Sequence, residues 1–244
     1  MRYAILADIH ANLTAFEAML DDVERRGGVD RFWNLGDTVG YGPDPNECLD
    51  RLSKLEHVSV AGNHDLAAIG KISTIDFNPE AATAASWTGE RLNAEARRYL
   101  ATMPLVIENG DFTLVHGSPR DPVWEYLVNA ERARANLGHF KTRYCLVGHS
   151  HQPMVFEADE NDDIRLAAFS DDRRLELGEK RLIINPGGVG QPRDGDPRAS
   201  YAIYDNQAKS ITLHRVTYDI AAVQSRMTSL GLPRRLIARL SYGV

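Results

Sequence analysis

Apolar and polar positions in the first sixty residues switch repeatedly between two periods. Residues 3–7 form a continuous apolar run that stops at Asp8 and reads as a buried strand. Leu13, Phe16, Leu20 and Val23 then recur at helical spacing, with Arg25 and Arg26 near the end and Gly27-Gly28 stopping the helix. A second apolar run, residues 32–35, ends at Gly36-Asp37. Asp44-Pro45-Asn46-Glu47 reads as a helix start in which Asp44 caps, Pro45 takes the first turn and Glu47 completes a capping box. Cys48, Leu52 and Leu55 continue that helix's apolar face, and a third run, residues 58–61, ends at Gly62-Asn63-His64-Asp65. This βαβαβ order predicts a parallel sheet with right-handed crossovers. Ligand sites in such sheets lie beyond the carboxyl ends of the strands, so the three polar clusters converge on one edge.

Residues 66–103 read as mostly helical, with a second helix start at Asn78-Pro79-Glu80. Residues 105–107, 112–115 and 144–147 read as strands, the last two ending at His116-Gly117 and Gly148-His149-Ser150-His151. Short alternating strands follow over 153–185 and 200–217, and a helix pair over 219–240 closes the chain. With no repeat, low-complexity tract or linker, the pattern predicts one domain over residues 1–244, carrying a helical insertion near 66–103. Two β layers flanked by helices give an α/β/β/α sandwich.

Composition narrows the function classes. Hydrophobic residues at 43% and charged residues at 25% are ordinary for a globular protein. The net charge is -6, and the 28 basic residues are interspersed among 34 acidic ones. That argues against an extended nucleic-acid surface, which shows as a clustered basic stripe. A negative balance also repels an anionic substrate unless local cations, such as metal ions, offset it. Cys48 and Cys145 are the only cysteines, so a disulfide framework is not expected and a reducing cytoplasm is. The apolar run before Asp8 is too short for a signal peptide, and no apolar stretch has membrane length. The expectation is a soluble cytoplasmic protein with no membrane partner; a homo-oligomer stays open.

The clusters carry the chemistry. Asp8-x-His10 sets a carboxylate and an imidazole on one side of an extended segment, a pair suited to Mn, Fe, Zn, Co or Ni. Taken singly, each cluster has an ordinary reading: Asp37 as a loop or cap aspartate, Gly62-Asn63-His64-Asp65 as a tight turn, His116 as a structural histidine. Together they read differently. Five of the eight histidines, His10, His64, His116, His149 and His151, fall at the ends of apolar strands. His57, His139 and His214 have no ligand partner at useful spacing.

In their order, Asp-x-His, Gly-Asp, Gly-Asn-His-Asp, a single His and Gly-His-x-His, these motifs resemble those of the calcineurin-like metallophosphoesterases. The resemblance covers about residues 2–153, and 185–204 more loosely. It is nearest to the small prokaryotic phosphodiesterases, some of them diadenosine tetraphosphatase-like. It implies a four-layer α/β/β/α fold and two divalent metal ions, drawn from Mn, Fe, Zn, Ni or Mg. Asp8, His10, Asp37 and His151 would hold one ion, and Asp37, Asn63, His116 and His149 the other, with Asp37 bridging. Such a pair, about 3.5–4 Å apart, activates a hydroxide for in-line attack on phosphorus without a protein nucleophile. His64 matches the family's histidine that protonates or stabilises the leaving alkoxide. Asp65 would orient that imidazole, serve as an acid at a helix N-terminus, or both.

Protein Ser/Thr phosphatases of the family carry arginines where this chain has Tyr41 and Ala61, which turns the reading away from phosphoprotein substrates. Two loops are candidates for substrate contact. One runs over residues 117–124 with Arg120 and Trp124; the other, residues 185–193, is glycine-rich, with amides that could approach phosphate and Arg193 as a clamp. In the helical stretch, a partial lid, Phe77 and Trp87 are placed to stack on a base or to pack in the core. The expected activity is hydrolysis of a small phosphodiester or phosphomonoester, nucleotide-like in character. Cleavage of a dinucleoside polyphosphate is the alternative, and a non-catalytic scaffold the remote one.

Overall fold

The side chains of β1 (Arg2–Leu6) divide between two cores. Ala4 and Leu6 join Phe16, Met19, Leu20 and Val23 of α1 (Leu13–Arg25) and Cys48 and Leu52 of α2 (Pro45–Ser53). Ile5 and Ala7 instead join Leu114, Leu146, Ile184 and Leu213. Successive side chains of a strand face opposite sides, so a strand apolar at every position is one covered on both faces. The same division recurs throughout the computed structural model, which describes residues 1–244. In β5 (Phe112–Val115), Leu114 faces the shared core and Val115 faces outward. In β10 (Leu182–Asn185), Ile184 and Ile183 do the same. The outward face of this second sheet is covered by Ala133 of α6 (Ala130–Asn136) and by Leu137. The layers are therefore helix, sheet, sheet, helix. Fully burying each such aliphatic side chain contributes about 1.5–3 kcal/mol, and the inter-sheet core is common to both sheets.

The first sheet contains β1, β2 (Arg31–Asn34), β3 (His57–Ser59), β9 (Arg174–Glu176), β11 (Ala199–Asp205) and β12 (Ser210–Val216), in the order β3-β2-β1-β11-β12-β9. The second contains β4 (Val106–Asn109), β5, β6 (Tyr144–Leu146), β7 (Met154–Ala158), β8 (Ile164–Ala168) and β10, in the order β4-β5-β6-β10-β7-β8. The strands β1, β2 and β3 are mutually parallel, as their crossovers predict. The expectation of a parallel sheet fails on the other side of β1, where β11 lies antiparallel with Tyr204 opposite Tyr3. A second parallel set, β5, β6 and β10, forms the middle of the other sheet.

Most of residues 66–103 lie in three helices, α3 (Asn63–Ala68), α4 (Pro79–Arg91) and α5 (Ala94–Thr102), with turns over 69–78 between the first two. The Asn78 side chain caps α4 by accepting from the Ala81 amide at 2.9 Å. At the C-terminal end, α7 (Ile220–Ser229) and α8 (Arg234–Ala238) pack Val223, Met227 and Leu236 with Ala81, Ala84 and Tyr41. Two local readings need correction. Asp44 makes no capping hydrogen bond at α2; its carboxylate pairs with Arg226 and ties α2 to α7. Helix α6 was not expected, although Asn129 caps it by accepting from the Arg132 amide at 2.9 Å. No helix is long and apolar enough to cross a membrane.

Candidate metal centre

Each of the six parallel strands feeds a loop into one cleft. The loop after β1 carries Asp8 and His10, that after β2 carries Asp37, and β3 leads to Asn63 and His64. The loop after β5 begins at His116, and that after β6 carries His149 and His151. All of these side chains are buried. Five of the seven candidate ligand positions, Asp8, His10, Asp37, His149 and His151, have φ between +48° and +64°, left-handed backbone that Asp and His adopt more readily than most residues but still at a cost. Such conformations persist where the surrounding structure enforces them, commonly at functional sites.

The hydrogen bonds of the histidines fix their tautomers. A carbonyl can only accept, so Nδ1–H of His10 donates to Val39 O at 3.1 Å and Nδ1–H of His151 to Gln191 O at 2.5 Å. In the neutral rings both Nε2 atoms then carry lone pairs, and these atoms lie 3.1 Å apart. Two acceptors at that distance require a cation between or beside them. A proton is a poor choice, because burial pushes both rings well below the usual histidine range. Asp8 Oδ1 stands 3.3 Å from His151 Nε2 and 3.9 Å from His10 Nε2. Asp8 Oδ2 is buried with no hydrogen-bond partner, and a buried polar atom of that kind is costly unless something compensates it.

A second cluster lies alongside. Nδ1–H of His116 donates to Leu35 O at 2.8 Å, and Nε2–H of His149 to Trp124 O at 3.3 Å. The inward nitrogens, His116 Nε2 and His149 Nδ1, are again 3.1 Å apart. Asn63 Oδ1 lies 3.2 Å from His116 Nε2. Asp37 Oδ2 stands between the clusters, 3.3 Å from His116 Nε2 and 3.6 Å from His10 Nε2. The carboxylate–imidazole groups Asp8/His10/His151 and Asp37/His116/His149 each bring their donor atoms within 4.8 Å of one another, a donor set and spacing that fit divalent metal ions. With protein groups alone the two carboxylates diverge. Burial raises Asp8 to about 8. Burial also opposes the charge on Asp37, yet His116, His64 and His10 hold it well below the carboxylate range.

His64 lines the same cleft. Its Nδ1 is buried without a partner and faces Gly40, where a Cβ would come within 2.6 Å of it. An N–H there would have no acceptor, so the neutral ring is better served with its proton on Nε2. Burial, only partly offset by Asp37, lowers His64 to about 4. Asp65 does not orient this ring. Its Oδ1 accepts from the Val39 amide at 3.1 Å and its Oδ2 from the Gly62 amide at 3.0 Å. The carboxylate therefore braces the loop after Asp37 against the turn before Asn63, and of the two readings of Asp65 the helix N-terminal acid is the one its contacts match.

The glycine-rich loop after β10 also differs from expectation. Its Val189 and Gly190 amides donate to the Ala7 and Asp8 carbonyls at 2.9 Å, so they are not free for phosphate. Gly190 packs so close to the Ile9 carbonyl that no Cβ fits. Asn185, missed in the sequence, donates through Nδ2 to Gly148 O at 2.7 Å and Ser150 Oγ at 3.0 Å, anchoring the turn that carries His149 and His151. Its only sequence signal was its place at the end of an apolar strand.

The two candidate arginines separate. Arg120 is turned to Glu125, with which it forms an ion pair outside the cleft. Arg193 lines the cleft, bonded to Gln191 Oε1 at 2.9 Å and placed 5.7 Å from the centre of the Tyr41 ring. Tyr41 itself packs against His10 and His64, at ring-centre distances of 4.5 and 4.2 Å. Phe77 and Trp124 meet edge to face at 5.3 Å on one wall of the cleft, whereas Trp87 packs under Arg91 away from it. Tyr126, also missed, stacks on ligand-cluster His149 at 3.8 Å.

Comparison with known proteins agrees with this geometry. A family described as the calcineurin-like phosphoesterase superfamily domain matches residues 1–209. A crystal structure of a metallophosphoesterase from Sphaerobacter thermophilus is 49% identical and covers 100% of this chain and 99% of that one, with a TM-score of 0.91. An uncharacterized protein of Methanocaldococcus jannaschii is 38% identical over 98% of this chain and 97% of its own length. A symmetrical bis(5'-nucleosyl)-tetraphosphatase of Haemophilus ducreyi is 29% identical over 136 residues, spanning 53% of this chain and 49% of that enzyme.

Proposed function

The chain belongs to the calcineurin-like phosphoesterase superfamily, and from that premise we propose that it hydrolyses a small, nucleotide-like phosphoester in the cleft around Asp37. It is a phosphoric ester hydrolase of the metallophosphoesterase type. Asp8, His10, Asp37 and His151 would hold one divalent ion, and Asp37, Asn63, His116 and His149 the other. The observation that carries this reading is the facing of ring nitrogens 3.1 Å apart in both clusters while the opposite nitrogens donate to carbonyls. Bound divalent ions supply Lewis acidity and lower the pKa of water from 15.7 towards about 7. Three oxygen donors and four imidazoles, with no thiolate, suit Mn, Fe, Zn or Ni, and we place manganese first.

The remaining work falls to side chains of the chain itself. His64 presents Nε2–H to the leaving oxygen as it departs. Gly40 leaves room for that ring, and Asp65 keeps the Asp37 and Asn63 loops in register. Arg193 lies over the cleft as a donor for phosphate oxygens. Phe77 and Trp124 shield one side from water. The buried, unpaired Cys48 and Cys145 support a reducing, cytoplasmic setting.

The test is a panel of p-nitrophenyl phosphate, bis-p-nitrophenyl phosphate and dinucleoside tetraphosphate, run on protein reconstituted separately with Mn, Fe, Zn, Ni and Mg. Turnover of the mono- or diester is expected; silence with every metal on every substrate contradicts the reading. The second reading, dinucleoside polyphosphate cleavage, is favoured by the tetraphosphatase relative and is selected if the tetraphosphate is the strongly preferred substrate.

A further inference from the structure

A second cavity of about 550 Å³ opens beside the cleft and shares Tyr41, Asn78, Tyr126 and Arg193 with it. Three guanidinium groups line it: Arg193, Arg235 and Arg239. Arg193 bonds to the Gln191 amide oxygen, and Arg239 donates to an oxygen of Val244, the last residue in the sequence. Glu80 is the one carboxylate side chain in the lining, and it reaches Arg235 only at 4.0 Å. Burial, and then the charge of Arg193, lowers Arg239 to about 10. Three guanidinium groups set against Glu80 and the oxygens of Val244, in a partly enclosed space of a chain of net charge -6, leave local positive charge that favours a further anion.

Arg235, Arg239 and Tyr242 all lie beyond residue 209, where the family match ends. The segment that bears them is held in place by its own packing. Leu236 and Leu240 are buried with Val223, Met227 and Tyr41, and Gln224 Nε2 donates to Ile237 O at 2.8 Å. The Gly195 amide donates to Gly243 O at 2.9 Å, joining the final turn to the loop that bears Arg193. Tyr41, Tyr126 and Tyr242 give the cavity aromatic surface, and its volume is within the range of small-molecule sites.

We infer that this cavity is the subsite for the distal half of the substrate, and that Arg193, Arg235 and Arg239 there bind a second phosphate beyond the one attacked. The inference rests on the phosphoesterase cleft proposed above and specifies its substrate class: nucleotide-like esters carrying at least two phosphates. Guanidinium groups pair with phosphate through parallel N–H···O bonds, and the tyrosines offer rings against which a base can stack.

Calorimetric titration of the full chain, stripped of metal, with ADP and with adenosine reads the subsite without turnover. ADP is expected to bind at least 10-fold more tightly than adenosine. Arg239→Gln should weaken ADP by about 10-fold. Arg235→Gln, whose side chain is 85% exposed and whose loss does not threaten the fold, should weaken it by about 3–10-fold. In the metal-loaded enzyme, the ratio of kcat/KM for dinucleoside tetraphosphate to that for p-nitrophenyl phosphate should fall by about 10–100-fold in the double variant. Equal binding of ADP and adenosine, or ADP binding unchanged in both variants, overturns the inference. Absence of all turnover in the metal-loaded wild type would instead contradict the proposed activity, and the titration would still decide the cavity.

Discussion

The Nε2 atoms of His10 and His151 face each other at 3.1 Å, and the Nδ1 of each ring is engaged by a main-chain carbonyl. The two rings come from loops 141 positions apart in sequence, so the contact is made by the fold. Removing one ring should leave the neighbouring cluster intact. His151→Ala is expected to lower the bound metal from about two ions per chain to about one, measured by elemental analysis after dialysis.

Asp37 stands between both clusters, 3.3 Å from His116 Nε2 and 3.6 Å from His10 Nε2. Asp37→Asn keeps the shape but loses the charge, so it should weaken both ions and abolish turnover. Metal content and p-nitrophenyl phosphate hydrolysis measured on the same sample check this. An enzyme with full activity and two bound ions would contradict the bridging role.

His64 touches neither cluster through a ring nitrogen and is read as the proton donor. His64→Ala should retain metal while slowing turnover by about 10²–10⁴-fold, the usual size of acid–base assistance. The loss should be smaller for esters with a good leaving group, such as p-nitrophenolate, than for alkyl esters. An equal loss for both would remove the acid from the account.

Asn185 donates to Gly148 O and Ser150 Oγ and so sets the loop of His149 and His151 from behind. Asn185→Ala leaves two buried acceptors short of a donor, which costs about 1–3 kcal/mol. Loss of such support behind ligands typically weakens metal by about 10–100-fold. Thermal unfolding and metal titration read the two effects separately.

Away from the cleft, burial pushes Asp22 up, but bonds from Arg26, Tyr201 and Arg25 outweigh it and hold the carboxyl below its usual range. A depressed acid contributes stability that is present above its unfolded pKa of about 3.9 and is lost as pH falls through the lower folded value. Asp22→Asn should therefore destabilise the protein at pH 7 by about 1–2 kcal/mol, the scale of hydrogen bonds to a charged group. The difference from wild type should shrink on acidification below about pH 4, as read by denaturant unfolding across pH.

The candidate ligands were legible because each lies within a few residues of the end of an apolar strand, as Asp8 does after β1 and His116 after β5, and parallel strands carry their ends to one edge. Strand order was not legible. The insertion of β11 beside β1 depends on Tyr204 meeting Tyr3 across 200 residues of chain, and periodicity holds no record of that pairing. Arg120 as a substrate contact, and the reading of Asp65 as the group that orients His64, fail for a related reason. Adjacency to His64 suggested one partner, while the backbone turn gave Asp65 the amides of Val39 and Gly62, and Glu125 drew Arg120 away. Nothing in the sequence singles out Arg235 and Arg239; the packing of Leu236 and Leu240 with Tyr41 is what brings their segment to the site.

Metal content and activity of one sample, followed through chelation and readdition, test the central claim most directly. The account predicts about two divalent ions per chain, loss of phosphoester turnover as they are removed, and recovery when Mn or a related ion is restored. Undiminished turnover in protein shown by elemental analysis to hold no metal would contradict it.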